Sequence, residues 1–378
     1  MNKRIASIDI YRAITMLMML WVNDFAGVAN LPHWLHHAEA AEDMMGFSDL
    51  VFPSFLFCVG LSLPFAIENR FRKGDSIWKV IGHVLLRSLA LIVMGLFSMN
   101  SGRIEGGFLN GPWFKIIMVI GFFLVWNLYP KTESKGKKTL YTCLQLLGVL
   151  ILAGLVVYRI AMGKPIRTGW WGILGLIGWA YLICAAAYLA CRQKLGRNII
   201  AWVVFIGLMI AISSGCKWLG FYPGGWTHPA LVFSGVLVSV MMSKYANDSK
   251  PMNYVGLLLL CALLMFGAGL VSHNFWIISK IQATPTWAFW SLACFLPLLA
   301  FIYWIADAKG HTAWANLIKP AGTATLTCYT LPTLWYCFWQ TSGAFAEGIP
   351  GLVKSMIFAI VIIAITGLLS KVNIKLKI

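Results

Sequence analysis

Charge is what this 378-residue chain has least of. Only 11% of its residues are charged, and 13 acids face 30 Lys and Arg. With 60% hydrophobic residues and a mean hydropathy of +0.77, the chain is excluded from the class of soluble domains, where charged residues make up about a quarter. Cysteine chemistry is also scarce. Of nine cysteines, all except Cys216 fall inside apolar runs and none form a CxxC, so neither a disulfide framework nor a zinc site is indicated. No polar linker is long enough to hold a soluble domain, and the second half shows no obvious repeat of the first. The most polar stretch, 131–138 (KTESKGKK), reads as a cytoplasmic turn. A single membrane domain spanning 1–378 is expected.

What the chain does have is apolar runs. A membrane helix needs roughly 20 mostly apolar residues, and by that criterion about twelve runs follow one another, with 10–11 as the alternative count. They cover 9–29, 49–68, 77–98, 112–129, 138–160, 171–191, 198–214, 229–243, 253–272, 286–306, 319–339 and 350–370. The expected fold is therefore all-α and polytopic. The basic residues give an independent reading, because cytoplasmic links collect Lys and Arg. With the N-terminus inside, the inner side receives Lys3, Arg4 and Arg12, the group from Arg70 to Lys79, the Lys131–Lys138 group, Arg192, Lys194, Arg197, Lys244, Lys250, Lys309, Lys319 and the lysines after 370. The outer side receives fewer: Arg103, Lys115, Arg159, Lys164, Arg167, Lys217, Lys280 and Lys354. Both termini are thus expected in the cytoplasm and the link 30–48 outside. The formal charge of +17 is topology rather than a nucleic-acid footprint, although basic inner loops also suit anionic lipid or a phosphorylated ligand. Segment 1–30 reads as an ordinary first span, not a cleaved leader. Tryptophans at run ends, such as Trp34, Trp78 and Trp170, fit interfacial belts.

Against that background the stretch 33–53, HWLHHAEAAEDMMGFSDLVFP, stands apart. It holds His33, His36 and His37 with Glu39, Glu42, Asp43 and Asp49, and no Lys or Arg. Antiparallel packing of the first two spans would bring Asn23, Asp24 and Asp49 to the same outer end. There a carboxylate can fix the tautomer of an imidazole acting as general base. The bland alternatives are helix capping by the Asn and Asp residues and, for the histidines, interfacial placement. His36 and His37 are adjacent, so their side chains point apart and one at most faces a pocket. Zinc ligation is the chemical competitor, but HxxHH lacks a companion ligand pair.

Other polar groups lie inside the runs, where a charge costs about 2.5–3.5 kcal/mol on insertion scales. Asp9 and Arg12 are one helical turn apart, either an ion pair closing a helix end or part of a phosphate site. Arg87 follows His83 on one helical face and either snorkels to the inner surface or binds phosphate. Lys280 is also of this kind. The Gly-rich outer links 101–112 and 215–229 are either plain turns or covers of an external vestibule.

RIASIDIYRAITMLMMLWVN, HHA and DLVFPSFLFCVGLSL, with LLRSLALIVMGLF, WGILGLIGWAYL, ISKIQATPTW and AGTATLTCYTL further on, resemble the heparan-α-glucosaminide N-acetyltransferase family of transmembrane acyltransferases, particularly its bacterial members. The resemblance implies acetyl transfer from cytosolic acetyl-CoA to the amine of a terminal glucosamine or related amino sugar on the opposite face of a bacterial cytoplasmic (inner) membrane. It selects His37, followed by Ala38, as the active histidine. It also implies acetyl-CoA as donor without a metal, an amino-sugar acceptor and the lipid bilayer as partners, and no nucleic acid; a homodimer is compatible with it. The loop before Asp49 is slightly longer than in lysosomal members and lacks their Trp-Asn-Gly, with Gly46 in a comparable place.

In this reading His37, Asp49, Asp24 and Asn23 carry the chemistry. His36, Arg12, Arg87, Asn274, Ser279 and Lys280 are binding candidates, and Arg12, Arg87, Asn274 and Ser279 mark a polar route for CoA. A direct attack with His as base and a covalent acetyl-His intermediate both remain open. The competing function is a secondary transporter or flippase for a sugar or glycolipid.

Overall fold

A computed structural model describes residues 5–102, 109–169, 171–246, 250–339 and 343–378. Lys3, Arg4, Trp170 and residues 103–108 of the 101–112 link, Arg103 among them, lie outside the described residues. Each of the twelve apolar runs becomes helical. The helices are α1 (Ala6–Phe25), α2 (Phe47–Arg72), α3 (Ile77–Asn100), α4 (Gly111–Trp126), α5 (Lys135–Ala161), α6 (Gly172–Cys191), α7 (Leu195–Ser213), α8 (Thr227–Tyr245), α9 (Pro251–His273), α10 (Pro285–Tyr303), α11 (Lys319–Thr323), α12 (Thr325–Phe338) and α13 (Gly348–Lys371). Eight of these segments are long and apolar enough to cross a membrane; α1, α4, α8 and the α11–α12 pair are shorter or less apolar.

The eleventh run departs from expectation. It is interrupted at Ala324 (φ −129°, ψ 43°), where Gly322 packs against α1: a Cβ there would stand 2.5 Å from the Asp9 carbonyl oxygen. Close approach of another helix, not a proline, is what divides this segment.

The bundle is layered. Helix α8 is buried along most of its length and packs most extensively against α2. Their contact depends on paired glycines, because a Cβ on Gly60 would lie 1.8 Å from the Val232 carbonyl oxygen and one on Gly235 2.1 Å from that of Phe57. Small residues let backbones approach where apolar burial alone does not drive helix association. By contrast α5, α7 and α9 expose leucines and branched residues, among them Leu146, Leu150, Ile200, Val203, Leu260 and Leu263. These are faces that lipid tails would cover. Helix starts carry local signals: the side chains of Ser76, Asn110 and Thr284 accept backbone N–H bonds from Lys79, Trp113 and Trp287, the usual N-cap service. Helix α1 is capped from a distance. The N–H groups of Ala6 and Ser7 donate to the Asp307 carboxylate at 2.9 and 3.0 Å, placing a negative charge on the positive end of the helix.

Candidate active site

The loop between α1 and α2 owes its shape to Asp49. One carboxylate oxygen, Oδ2, accepts the N–H of Ala38 at 3.0 Å and of Gly46 at 3.1 Å, folding the loop back onto the start of α2. Gly46 is required there, since a Cβ would stand 1.9 Å from the His36 carbonyl oxygen. The other oxygen, Oδ1, lies 2.8 Å from His37 Nδ1. A buried carboxylate that already accepts two N–H bonds favours the tautomer with the ring proton on Nδ1 and the lone pair on Nε2, against the donor-only Lys280 ammonium 3.0 Å from the same Nδ1. The capping role and the histidine-orienting role expected as alternatives are both present in one side chain.

The remaining acids of the loop do other work. Asp43 accepts the Ile278 N–H at 2.8 Å and faces His273 Nε2 at 2.9 Å; the Ile278 bond, with His273, holds its carboxyl below the usual range despite partial desolvation. Gln282 and Ser279 donate to the Ala40 carbonyl at 2.6 and 3.1 Å. The link between α9 and α10 is thereby fastened to the histidine loop, and it delivers Lys280. The Lys280 ammonium lies 3.0 Å from His37 Nδ1, 3.5 Å from Nε2 and 3.7 Å from Asp49 Oδ1. Burial pushes its pKa down, and the Asp49 charge offsets that in part. Glu42 pairs with His33, which with the Glu39 N–H lowers its pKa. His36 sets its ring edge-on to Phe25.

Two cavities are arranged along α2. The first, about 740 Å³, is lined by His37, Lys280 and Phe52 together with Gly224, Gly225 and His228 from the start of α8. The second, about 430 Å³, is lined by Arg12, Arg87, Ser62 and Tyr181 and by Lys375 and Lys377 from the segment after α13. Ile173 lines both. In the second cavity the Arg12 guanidinium binds Asp9 and the Gly322 carbonyl, each at 3.2 Å, and Ser62. Arg87 lies over the Tyr181 ring at 4.9 Å, with Nε buried and unpartnered among the described residues. Ser62 is about 20 Å from Asp49 along α2 at 1.5 Å per residue, so the basic cavity and the histidine cavity occupy different levels of the bundle. The tail is held by backbone bonds between Leu128 and Lys375 and between Lys377 and Trp126, and by the Leu376 N–H on Thr327 Oγ1.

A family model described as "Domain of unknown function (DUF5009)" matches residues 4–217. The chain belongs to the DUF5009 family. Among curated proteins it is similar to the heparan-alpha-glucosaminide N-acetyltransferases of Homo sapiens, 30% identical over 97 residues, and Mus musculus, 28% identical over 97 residues. Each match covers 26% of this chain and 14% of the relative.

The DUF5009 region contains His37, Asp49, Arg12, Arg87 and Ile173, whereas Lys280, His228 and the basic tail lie beyond it. Not every expected residue joins the site. Asp24 is taken by Lys354 at 2.5 Å and by the Tyr336 hydroxyl at 2.9 Å, because its side of α1 faces α12 and α13 rather than the loop. Asn23 is exposed, and no described bond connects it to His37. Asn274 donates to the carbonyls of Leu270 and Val271 at the end of its own helix. Ser279 belongs to the clamp on Ala40. Neither Asn274 nor Ser279 lines the cavity with Arg12 and Arg87. His228 is the residue that sequence reasoning missed. The cue was present in GGWTHP, a histidine after paired glycines at the head of a helix that is otherwise free of charge until Lys244.

Proposed function

We propose that the protein is a membrane acetyltransferase that passes an acetyl group from acetyl-CoA, held in the basic cavity, to the amine of an amino sugar in the His37 cavity. The supporting observation is the meeting of two chemically different cavities at Ile173, one lined by four cationic side chains and the other by an oriented imidazole. The similarity to heparan-alpha-glucosaminide N-acetyltransferases supports the same reading. In this proposal Arg12, Arg87, Lys375 and Lys377 take the donor's phosphates, and the apolar wall of Met16, Phe55 and Leu91 takes its chain. Both termini and the basic cavity face the cytoplasm of a bacterial inner membrane, twelve spans cross it, and the His37 loop faces outward.

The chemistry follows from the tautomer. An ammonium cannot attack a thioester, so His37 Nε2 removes a proton from the acceptor amine. The amine nitrogen bonds to the acetyl carbon, the C–S bond breaks, and CoA leaves as thiolate. Asp49 steadies the imidazolium formed on His37. The Lys280 ammonium, 3.0 Å from Nδ1 and 3.5 Å from Nε2, offsets the charge that the carbonyl oxygen gains during attack.

The test is transfer from radiolabelled acetyl-CoA to glucosamine by the purified protein in detergent. Wild type is expected to label the sugar and His37→Ala to lose the activity. Full activity in His37→Ala overturns the site assignment. A wild type that labels no amino sugar but moves glucosamine into liposomes replaces the enzyme with the carrier.

A further inference from the structure

The histidine cavity contains a second imidazole that the acetyl transfer does not use. His228 is only 7% exposed, lines the cavity with His37 and Lys280, and turns Nδ1, which is closed to solvent, towards the backbone of Gly224. Its position is fixed from three sides. The Phe52 ring meets it edge-on with centroids 5.4 Å apart, and Phe52 lies one helical turn after Asp49, so the same stretch of α2 places both imidazoles. The Thr227 hydroxyl donates to the Ala283 carbonyl at 2.6 Å, fastening the head of α8 to the link that carries Lys280. Beside the ring, Gly224 has φ +81° and a Cβ there would stand 3.1 Å from Nδ1, which leaves bare backbone as the adjoining wall.

With Nδ1 closed off by backbone, the rest of the ring forms part of the cavity wall, and an imidazole in such a wall is an orienting group for a ligand. The rest of the wall says which kind. Ser213 and Gln282 add polar atoms, while Phe52, Ile173 and Leu176 add an apolar surface. This lining suits a ring with one apolar face and a rim of hydroxyls, and a neutral imidazole and a hydroxyl can each donate and accept.

We propose that His228 is a specificity residue that hydrogen-bonds a ring hydroxyl of the acceptor, so that the cavity selects polyhydroxylated cyclic amines over plain cyclic amines. The word acceptor rests on the transfer reading above; the binding preference does not. His228 touches none of the reacting atoms.

The test measures binding by calorimetry on the purified full chain in detergent, with glucosamine and cyclohexylamine as probes. His228→Ala is expected to raise the Kd for glucosamine about tenfold, the usual effect of one lost hydrogen bond, and to leave that for cyclohexylamine unchanged. His228→Asn, which keeps a donor and an acceptor, is expected to recover part of the loss. His228→Phe fills the space without polar atoms and is expected to behave as Ala does, so the Phe and Asn pair carries the comparison if the Ala variant does not fold. Equal weakening of both amines, or unchanged glucosamine binding in the Phe variant, overturns the proposal. So does a wild type that binds no glucosamine. A wild type that binds glucosamine selectively through His228 yet transfers no acetyl group sinks the enzyme and leaves this inference standing.

Discussion

Replacing Asp49 by Asn tests the site at its centre, because it removes a charge without removing the loop's shape. Both backbone N–H bonds go to the same oxygen, Oδ2, so an amide oxygen placed there keeps Ala38 and Gly46 bound. The amide NH₂ then faces His37 Nδ1 in place of Oδ1. A donor in that position selects the opposite tautomer, with the proton on Nε2 and no lone pair for the acceptor amine. The imidazolium that would form also loses its counter-charge. At an effective dielectric near 20, unit charges about 4 Å apart interact by about 4 kcal/mol, which corresponds to about a thousandfold in rate. Acetyl transfer by Asp49→Asn is therefore expected to fall about a thousandfold in kcat with little change in melting temperature. Asp49→Ala is expected to melt lower as well, since each orphaned buried N–H costs about 1–3 kcal/mol. Nitrogen-15 NMR of histidine-labelled protein reads the tautomer directly. Asp49→Asn activity within threefold of an active wild type, or an unchanged His37 tautomer, refutes the reasoning.

Lys280→Met separates catalysis from stability. The folded-state pKa of Lys280 lies below its unfolded value near 10.4, so the unfolded chain binds this proton more tightly and stability rises with pH towards that value. At neutral pH the charged group therefore opposes folding. The Met variant is expected to lose at least tenfold in kcat while melting no lower than wild type, and a clear drop in melting temperature contradicts the assignment. Ile173→Trp, at the meeting of the cavities, is expected to abolish transfer while acetyl-CoA still binds; undiminished transfer places the acetyl path elsewhere. The Asp43 tether should respond to acid. Its folded pKa is depressed, so its contribution is present above the unfolded value near 3.9 and is lost as pH falls through the folded one. The protection factor of the Ile278 amide, its exchange relative to the intrinsic rate at the same pH, is expected to fall as pH drops below the unfolded value near 3.9 and to be low at every pH in Asp43→Asn.

Much of this was legible in the sequence. Apolar runs located the eight described helices that are long and apolar enough to cross a membrane, because span length is imposed by a bilayer and needs no partner to be recognised. Antiparallel packing of the first two spans brought Asp49 to the histidines and the family resemblance selected His37 among them; the two side chains lie 2.8 Å apart. Asp24 did not follow the same logic: it lies equally near in sequence, but which side of α1 faces the loop depends on where α13 docks, and Lys354 is 330 residues away. The acids that made the loop conspicuous also proved to have separate duties. Asp43 holds a distant link, Glu42 a neighbouring histidine, and only Asp49 orients His37. His228 escaped notice because an isolated histidine carries no local pattern, and its significance comes entirely from the cavity it faces.

Ile173, the one residue that the two cavities share among the described residues, has an electrical consequence. In the proposed orientation, polar space enters the bundle from both faces and leaves a short apolar septum at Ile173. Membrane voltage falls mainly where water and ions do not reach, so the field is concentrated there rather than spread over the bilayer's thickness. Each elementary charge crossing the full drop at 100 mV exchanges about 2.3 kcal/mol with the field. The proposed step separates charge across that septum, because the CoA thiolate remains on the donor side while the proton taken from the amine remains with His37 on the acceptor side, so one elementary charge crosses the drop per turnover. Catalysis built this way is coupled to the membrane potential, and its rate in an energised cell differs from that in a vesicle with no potential.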